Sequence, residues 1–242
     1  MTTYKEIFGK PVKHLSTDPT DAEAAGQIWY NSTSGTFKSI VASGAWSAGG
    51  NLGTGRYLVA GAGTQTAGLA FGGLSATPST NTNATEEYNG SGWSNGGDLS
   101  TTRRNLGGAG TQSAGLAFAG RTPSADTNTT EEYGGTSWTA GGNMGTARQA
   151  LAGAGTQTAG LGIAGYVTGT GFINTSEEYG GTSWTAGGTL AAAVGALAAA
   201  GTQTAGLAFG GDTPTVTAVT QEYNGTAWSA GGNLGTATNS IM

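Results

Sequence analysis

The sequence predicts an all-β protein, specifically a five-bladed β-propeller built from four-stranded antiparallel blades. Tryptophans recur with spacings of 47, 45, 46 and 44 residues, and a period in the mid-forties is typical of propeller blades. Between them, glycine-rich and asparagine-rich turns separate short apolar runs, and no segment has the periodicity of a helix. The tryptophans that mark the five predicted blades are Trp46, Trp93, Trp138, Trp184 and Trp228.

Each full unit is predicted to contain four strands in one order. In the first full unit, residues 67–73 form a short apolar strand that glycines end, and residues 74–84 form a polar loop. Thr-Glu-Glu-Tyr forms the next strand, and Asn89-Gly90 is a favoured hairpin turn because both residues tolerate positive φ. The tryptophan strand follows, and a fourth strand, residues 103–110, turns back through Thr-Gln into the next unit. An open β-solenoid is the rival architecture, but its usual rung is about half this length.

The repeat also predicts the domain organisation. Residues 1–25 are expected to be an N-terminal arm, and residues 26–242 the propeller, with an atypical first blade and a truncated last one. Glycine and alanine would allow the inner strands to approach one another near the axis. Large aromatic side chains would fill the space between neighbouring sheets. Besides the tryptophans, one tyrosine per full unit has this structural role: Tyr88, Tyr133, Tyr179 and Tyr223.

The composition narrows the functional classes. Cysteine is absent and His14 is the only histidine, so Ser-His-Asp or Cys-His catalysis and metal sites built on His or Cys are unavailable within the repeats. We therefore expect a protein that is not an enzyme and uses no cofactor, with His14 as a surface residue. The net charge of −5 gives no electrostatic reason to bind nucleic acid or anionic lipid. With no signal peptide and no stretch long enough to span a bilayer, we expect a soluble protein without membrane insertion.

An acidic pair precedes the tyrosine of each full unit, except that the first member is Gln221 in the last one. Because strand residues alternate between faces, the two members lie on opposite faces of the sheet. A ring of carboxylates could bind a cation around the axis. The alternative, which we favour, is a hydrogen bond or ion pair with arginines at one shared repeat position, Arg56, Arg103 and Arg148. The second members of the pairs are Glu87, Glu132, Glu178 and Glu222.

One end of the predicted disc is variable and the other uniform. The loops after the apolar strands, residues 74–84, 121–130, 166–176 and 212–220, are long and dissimilar, whereas the hairpin turns before the tryptophans are nearly identical. Variable loops on a rigid scaffold are where recognition is usually located, although drift in unconstrained loops would give the same pattern. The candidate binding residues in these loops are Asn81, Thr82, Asn83, Asp126, Asn128, Tyr166, Phe172, Asn174, Asp212 and Thr215.

Two motifs of the repeat resemble a known family. Leu-Ala-Phe-Gly-Gly at residues 69–73, followed by Glu-Glu-Tyr-Asn-Gly-Ser-Gly-Trp at 86–93, resembles the kelch motif, as does the later Leu-x-x-x-Arg at 99–103. The likeness covers about residues 46–242 and implies a kelch-type β-propeller. It departs from the pattern at the glycine pair, which is complete only at residues 72–73 and 210–211. Kelch-fold oxidases use copper-binding histidines and a cross-linked cysteine, and this chain has neither within the repeats.

A second resemblance concerns the N-terminal region. Residues 18–38, which include Gly-Gln-Ile-Trp-Tyr-Asn-Ser-Thr-Ser-Gly-Thr-Phe-Lys, look like a segment common near the start of tailed-bacteriophage virion proteins, especially those of marine phages. The tandem Gly-Thr-Gln-Thr-Ala-Gly-Leu-Ala-Phe-Gly-Gly units look like kelch-type phage structural proteins. This resemblance implies a virion structural protein in the tail or on the particle surface. Its arm, residues 1–25, would dock to other virion proteins, and its loop face would act in host attachment through a host-surface glycan or protein. The alternative function is a carbohydrate-binding lectin-type propeller.

Overall fold

The computed structural model describes residues 6–7, 10–11, 13–18, 28–39 and 48–239. Within these ranges every regular element is a β-strand, which confirms the predicted all-β class for this part of the chain. The chain separates into two compact units, residues 1–48 and residues 49–242.

Five short strands lie in the described residues of the first unit. They are β1 (Glu6–Ile7), β2 (Lys10–Pro11), β3 (Lys13–Leu15), β4 (Ile28–Asn31) and β5 (Thr36–Ser39). The first two form an antiparallel pair. In the other sheet, β4 pairs antiparallel with β5 and parallel with β3. This three-stranded mixed sheet therefore differs from a four-stranded antiparallel meander.

Asp18 holds the mixed sheet together. Its carboxylate accepts hydrogen bonds from Trp29 Nε1 at 3.1 Å and Asn31 Nδ2 at 2.6 Å, and it pairs with Lys38 Nζ at 2.6 Å. The hydrogen bond from Lys38, followed by that from Asn31, lowers the pKa of Asp18 to about 2. One carboxylate thus connects the segment after β3 to both strands of the β4–β5 hairpin.

The second unit begins with a four-stranded sheet, sheet 1. Its strands run in the order β7-β8-β10-β11, and the short strands β6 and β9 pair beside it. All neighbouring strands are antiparallel. The strands of this region are β6 (Arg56–Tyr57), β7 (Ala60–Thr64), β8 (Ala67–Phe71), β9 (Leu74–Ser75), β10 (Thr85–Tyr88) and β11 (Trp93–Asn95).

Three more antiparallel meanders repeat this arrangement. Sheet 2 contains β12 (Gly107–Gly110), β13 (Gly115–Phe118), β14 (Thr130–Tyr133) and β15 (Trp138–Ala140). Sheet 3 contains β16 (Ala152–Gly155), β17 (Gly160–Val167), β18 (Gly171–Tyr179) and β19 (Trp184–Thr189). Sheet 4 contains β20 (Ala198–Thr202), β21 (Ala205–Phe209), β22 (Thr220–Tyr223) and β23 (Trp228–Ala230). The four sheets have a propeller-type arrangement, in agreement with the predicted architecture.

Two details of the prediction need correction. The described residues contain four blades rather than five: the strands assigned to an atypical first blade, β4 and β5, instead form the mixed sheet with β3. Trp46, the predicted marker of that blade, lies outside the described residues. The strand predicted as the fourth of one unit, within residues 103–110, is the first strand of the next sheet, because β12 pairs with β13 across the Thr111-Gln112 turn.

The sheets pack against one another through their inner strands and through apolar clusters. A Cβ atom added at Gly153 would lie 2.3 Å from the carbonyl oxygen of Gly108, so the close approach of β16 to β12 requires glycine. Further out, Phe71 of sheet 1 meets Trp138 of sheet 2 with ring centroids 4.9 Å apart. Equivalent clusters lie between sheets 2 and 3 and between sheets 3 and 4. The core is therefore located between the sheets.

Candidate functional site

The four variable loops lie at the end of the sheets where the chain passes from one sheet to the next. They connect β8 to β10, β13 to β14, β17 to β18, and β21 to β22. The loop of sheet 3 is a continuous hairpin, paired as far as Val167 and Gly171, whereas those of sheets 2 and 4 close through single bridges, Arg121 with Asp126 and Asp212 with Val216. We call this end the loop face. It contains all ten candidate binding residues.

Three of those candidates have one structural role. The Nδ2 atoms of Asn83, Asn128 and Asn174 donate hydrogen bonds of 2.9, 2.8 and 3.0 Å to the carbonyl oxygens of the connecting segments, at residues 99, 144 and 190. The backbone carbonyls of the same asparagines accept the amide protons of those residues. Each asparagine therefore fastens its loop to the connection that follows its sheet. Thr82 forms a hydrogen bond within its own loop, since its hydroxyl accepts the Ala84 amide proton at 3.1 Å.

A polar network joins the loops of sheets 1, 2 and 3. Arg104 donates to Asn81 Oδ1 at 2.6 Å, and Asn81 Nδ2 donates to the Arg121 carbonyl oxygen at 2.9 Å. Arg121 in turn contacts Asp126 and the Thr168 hydroxyl, each at 2.9 Å. The Thr168 amide donates to Asp126 at 2.7 Å. These bonds cross from sheet to sheet, so three dissimilar loops are fixed relative to one another.

The remaining candidates contact their own surroundings. Tyr166 and Phe172 meet edge to face with centroids 5.5 Å apart, and the Phe172 ring lies so close to Gly195 that a Cβ there would be 2.8 Å from it. Asp212 accepts two 3.1 Å hydrogen bonds from Asn239 Nδ2. Thr215 is exposed at the tip of its loop.

The exposed loop tips share a simple composition. Residues 76–80, 123–125, 168–170 and 214–216 are all exposed and consist of alanine, threonine, proline, serine, glycine and valine. Such a surface offers hydroxyl groups and small apolar groups but no charge. Its contacts with a partner would depend on shape and hydrogen bonding, with little effect of salt.

The glutamate pairs lie away from the loop tips and on both faces of each sheet. The first members form buried ion pairs: Arg56 with Glu86 at 3.0 Å, Arg103 with Glu131 at 2.8 Å, and Arg148 with Glu177. Each guanidinium also donates to two backbone carbonyl oxygens of its own loop. Burial lowers the pKa of Arg103, and the charge and hydrogen bond of Glu131 act in the opposite direction.

The second members point to the next sheet. Glu87 of sheet 1 accepts the hydroxyl proton of Tyr133 of sheet 2 at 2.5 Å, and Glu132 and Glu178 bind the following tyrosines in the same way. Burial, together with the hydrogen bond to Glu87, raises the pKa of Tyr133 to about 12. Glu222 of sheet 4 is exposed and has no such tyrosine in the described part of the chain.

Sheet 4 lacks the ion pair altogether. Val194 and Gln221 occupy the positions of the arginine and the first glutamate, and Gln221 Oε1 accepts the Ala191 amide proton at 2.9 Å. A cavity of about 80 Å³ opens beside them, lined also by Phe209 and Val219. The two substitutions therefore occur together and leave room that the longer arginine side chain fills in the other sheets.

Two sets of hydrogen bonds that the sequence did not predict also bridge the sheets. The tryptophan indoles donate to a hydroxyl at the start of the preceding sheet's Thr/Ser-Glu-Glu-Tyr strand, as Trp138 does to Thr85 at 2.9 Å. Glutamines of the Thr-Gln turns donate to two carbonyl oxygens of the preceding sheet. Their recurrence was visible in the repeat, but a polar residue in a turn gives no sign that it reaches another sheet. These glutamines are Gln112, Gln157 and Gln203.

Two features are absent from the described ranges. They contain no group of three or more histidine, cysteine, aspartate or glutamate side chains placed to hold a metal ion. They also contain no helix with the length and apolar character that a membrane crossing requires.

Comparison with known proteins assigns no family. No protein-family model matches the chain, and no curated protein matches it. A functional assignment therefore depends on the residues and geometry given above.

Proposed function

We propose that this chain is a non-enzymatic interaction module of a tailed-bacteriophage particle, located in the tail or on the particle surface. The loop face is the observation that supports it: four unlike loops stand on four like sheets, and hydrogen bonds between sheets hold three of them in place. The phage setting is supported by the resemblance of residues 18–38 and of the tandem kelch-like repeats.

Rigidity of the loops favours a recognition role. Loops that are already ordered lose little conformational entropy when a partner binds, which improves affinity without additional contacts. The asparagine anchors and the Arg121–Asp126 ion pair at 2.9 Å provide this order below the exposed tips. The partner is proposed to be a host-surface protein or glycan that contacts the uncharged tips.

The proposed contact can be tested by adding charge to the tips. In the variant with Ser124→Arg, Thr170→Arg and Thr215→Arg, we expect particles to adsorb to host cells at least tenfold more slowly. The matched control has three arginines at the uniform end, in exposed hairpin turns: Ser91→Arg, Thr136→Arg and Thr182→Arg. Equal adsorption by the two variants would contradict a role for the loop face. A glycan array then distinguishes sugar from protein partners.

The N-terminal arm is proposed to dock the module to other virion proteins. Deleting residues 1–25 should prevent incorporation into particles, but it also removes β3 and Asp18, which fasten the mixed sheet. A shorter deletion, residues 1–12, retains both. Loss of incorporation with the shorter deletion would assign docking to the first residues, and normal incorporation with both deletions would contradict the arm's role.

A further inference from the structure

The cavity of sheet 4 occupies the place that a guanidinium group fills in the other three sheets. In sheet 2, Arg103 Nη1 donates to the carbonyl oxygens of Ala119 and Thr129 at 3.1 and 2.8 Å. Its Nη2 donates to Glu131 Oε1 at 2.8 Å. Sheets 1 and 3 repeat these three bonds. In sheet 4 the isopropyl group of Val194 stands at this position and has no hydrogen to donate.

Two backbone acceptors border the cavity. Gly210 directly follows strand β21 and Val219 directly precedes β22, which are the positions of Ala119 and Thr129 in sheet 2. The Gly210 amide donates to the Val219 carbonyl oxygen at 3.0 Å, as the Ala119 amide does to that of Thr129. Both residues of sheet 4 line the cavity. Their carbonyl oxygens therefore correspond to the pair that accepts the guanidinium in the other sheets.

Gln221 supplies a donor on the opposite side. Its Oε1 accepts the Ala191 amide proton at 2.9 Å, and a backbone amide can only donate, so this bond fixes which end of the side-chain amide is oxygen. In sheet 2, Glu131 makes the same bond to the Ser100 amide through Oε2, and its other oxygen binds the arginine. Gln221 Nε2 thus takes the place of that other oxygen and presents N–H groups to the cavity.

The walls and the size of the cavity suit a small group with an apolar end. Leu190, Leu197 and Ala208 are buried apolar residues of its lining. Its volume is about 80 Å³, and since an apolar cavity of about 150 Å³ holds benzene, a group of about four non-hydrogen atoms fits here. Ala192 and Val219 also line it and are exposed, so a molecule can enter from the surface at these residues.

We propose that this cavity is a binding site for a small primary carboxamide. The NH₂ group of the ligand donates to the carbonyl oxygens of Gly210 and Val219, and its oxygen accepts from Gln221 Nε2. Its alkyl group contacts the apolar walls. The planar head has the shape of a guanidinium without the charge: its nitrogen, oxygen and carbon take the places of Nη1, Nη2 and Cζ of Arg103. This inference does not depend on the proposed phage function.

The arrangement of donors and acceptors discriminates against groups of similar shape. An amidinium would direct N–H groups at Gln221 Nε2, and its charge would be buried without a carboxylate. A carboxylate would place an oxygen against the two carbonyl oxygens. A methyl ketone would leave those oxygens without a donor. Specificity thus arises from mismatched polar groups as well as from matched ones.

The first test titrates the ¹⁵N-labelled full chain with propionamide and follows the amide chemical shifts by NMR. We expect saturable shifts around residues 190–197 and 208–221, with a Kd in the millimolar range because the ligand is very small. Propionamidinium, propionate and 2-butanone match propionamide in shape and should each bind at least tenfold more weakly. The proposal would be overturned if propionamide gave no saturable shifts up to about 100 mM, or if the four ligands bound equally.

Two double variants change the number of sites. Val194→Arg/Gln221→Glu rebuilds the ion pair, fills the cavity and should abolish binding. Arg103→Val/Glu131→Gln copies the sheet 4 pair into sheet 2 and should add a second set of shifted amides there. Each variant exchanges a complete pair, and circular dichroism checks that both fold. Binding that persists in the filled variant, or a sheet 2 variant without a second site, would overturn the assignment of the site to this pair.

A single substitution should reverse the preference for charge. Gln221→Glu replaces the donor with a carboxylate, so propionamidinium should bind this variant at least tenfold more tightly than propionamide does. The wild-type order of affinities in this variant would contradict the role of Gln221.

The same head group occurs on a free small amide and on the side chains of asparagine and glutamine. Titration of wild type with N-acetylglutamine methylamide separates these sources. Affinity equal to that of propionamide would assign the site to a side chain of a partner peptide, and affinity at least tenfold weaker would assign it to a free small amide.

Discussion

The two members of each acidic pair are adjacent on one strand, yet they bind different kinds of partner. The first member points back and binds an arginine of its own unit, as Glu131 binds Arg103. The second points forward and binds a tyrosine of the next unit, as Glu132 binds Tyr179. The first bond is lost in sheet 4, whereas the second occurs at all three interfaces.

The difference depends on which unit supplies the partner residue. Arginine and first glutamate belong to one unit, so both can be replaced together, as with Val194 and Gln221, while the neighbouring sheets are unaffected. Tyrosine and second glutamate belong to two units, so a change in either leaves a buried polar group in an interface. The first glutamate of each pair, the backward position, therefore stabilises its own loop, and the second glutamate, the forward position, joins neighbouring sheets.

The largest effect is expected from breaking one backward ion pair. Arg103→Val reproduces Val194 but leaves Glu131 buried without a counter-charge and the carbonyl oxygens of Ala119 and Thr129 without their donor. The free energy of unfolding should fall by about 3–5 kcal/mol, measured by urea denaturation. The double variant Arg103→Val/Glu131→Gln should regain most of this loss. A double variant as unstable as the single one would show that the pair is not an exchangeable unit.

The converse change rebuilds the ion pair in sheet 4. Val194→Arg alone places a cation in a cavity without a carboxylate and should destabilise the protein. Adding Gln221→Glu should make the double variant more stable than the Val194→Arg variant by up to about 3 kcal/mol. Urea denaturation of wild type, the two single variants and the double variant gives the coupling free energy between residues 194 and 221. Additive effects would contradict our view that the sheet 4 cavity is the space of a missing arginine.

The sequence was sufficient for the class of fold and for the order of strands in each repeat. It was not sufficient for where a sheet begins, because a repeat has no intrinsic starting point: residues 107–110 read equally well as the last strand of one unit and the first of the next. Hydrogen bonding to β13 decides this. The described residues contain four blades rather than the predicted five because β4 and β5 form a mixed sheet with β3, and the pairing of β4 with β3 depends on contacts that no local pattern encodes.

The candidate site was predicted in part. Strand alternation correctly places Glu131 and Glu132 on opposite faces, because it follows from strand geometry alone. The ion pair and the cation ring stayed as alternatives, since the sequence does not give distances between strands. Loop length located the variable end, but it did not reveal that Asn83 and its equivalents are occupied by backbone bonds. Side chains that reach across sheets, such as Gln112, cannot be recognised without the packing.

Removing the hydroxyl of a tyrosine that binds a second glutamate should have a smaller effect than loss of an ion pair. Tyr133→Phe removes the hydroxyl donor to Glu87 within an interface, and the free energy of unfolding should fall by about 1–2 kcal/mol. Tyr88→Phe is the matched control, since no sheet of the second unit precedes sheet 1, and should change it by less than about 0.5 kcal/mol. Both are measured at low protein concentration. Equal losses would mean that the tyrosine hydroxyl does not act through the interface.

The smallest expected effect is a pH dependence of the free energy of unfolding, which arises from the tyrosines that bind the second glutamates. In the folded protein the pKa of Tyr133 and that of Tyr179 are raised to about 12, first by burial and then by the hydrogen bonds to Glu87 and Glu132. An unfolded tyrosine ionises near pH 10. Between about pH 10 and pH 12 the unfolded state thus binds fewer protons than the folded state, so stability should fall as pH rises through this window and be unaffected by these groups below it. Urea denaturation from pH 8 to pH 11.5 should show a shallower decline for Tyr133→Phe than for wild type, because one of the tyrosines that link the sheets no longer titrates. Parallel declines would show that the high-pH instability arises elsewhere than at the tyrosine–glutamate bonds between the sheets.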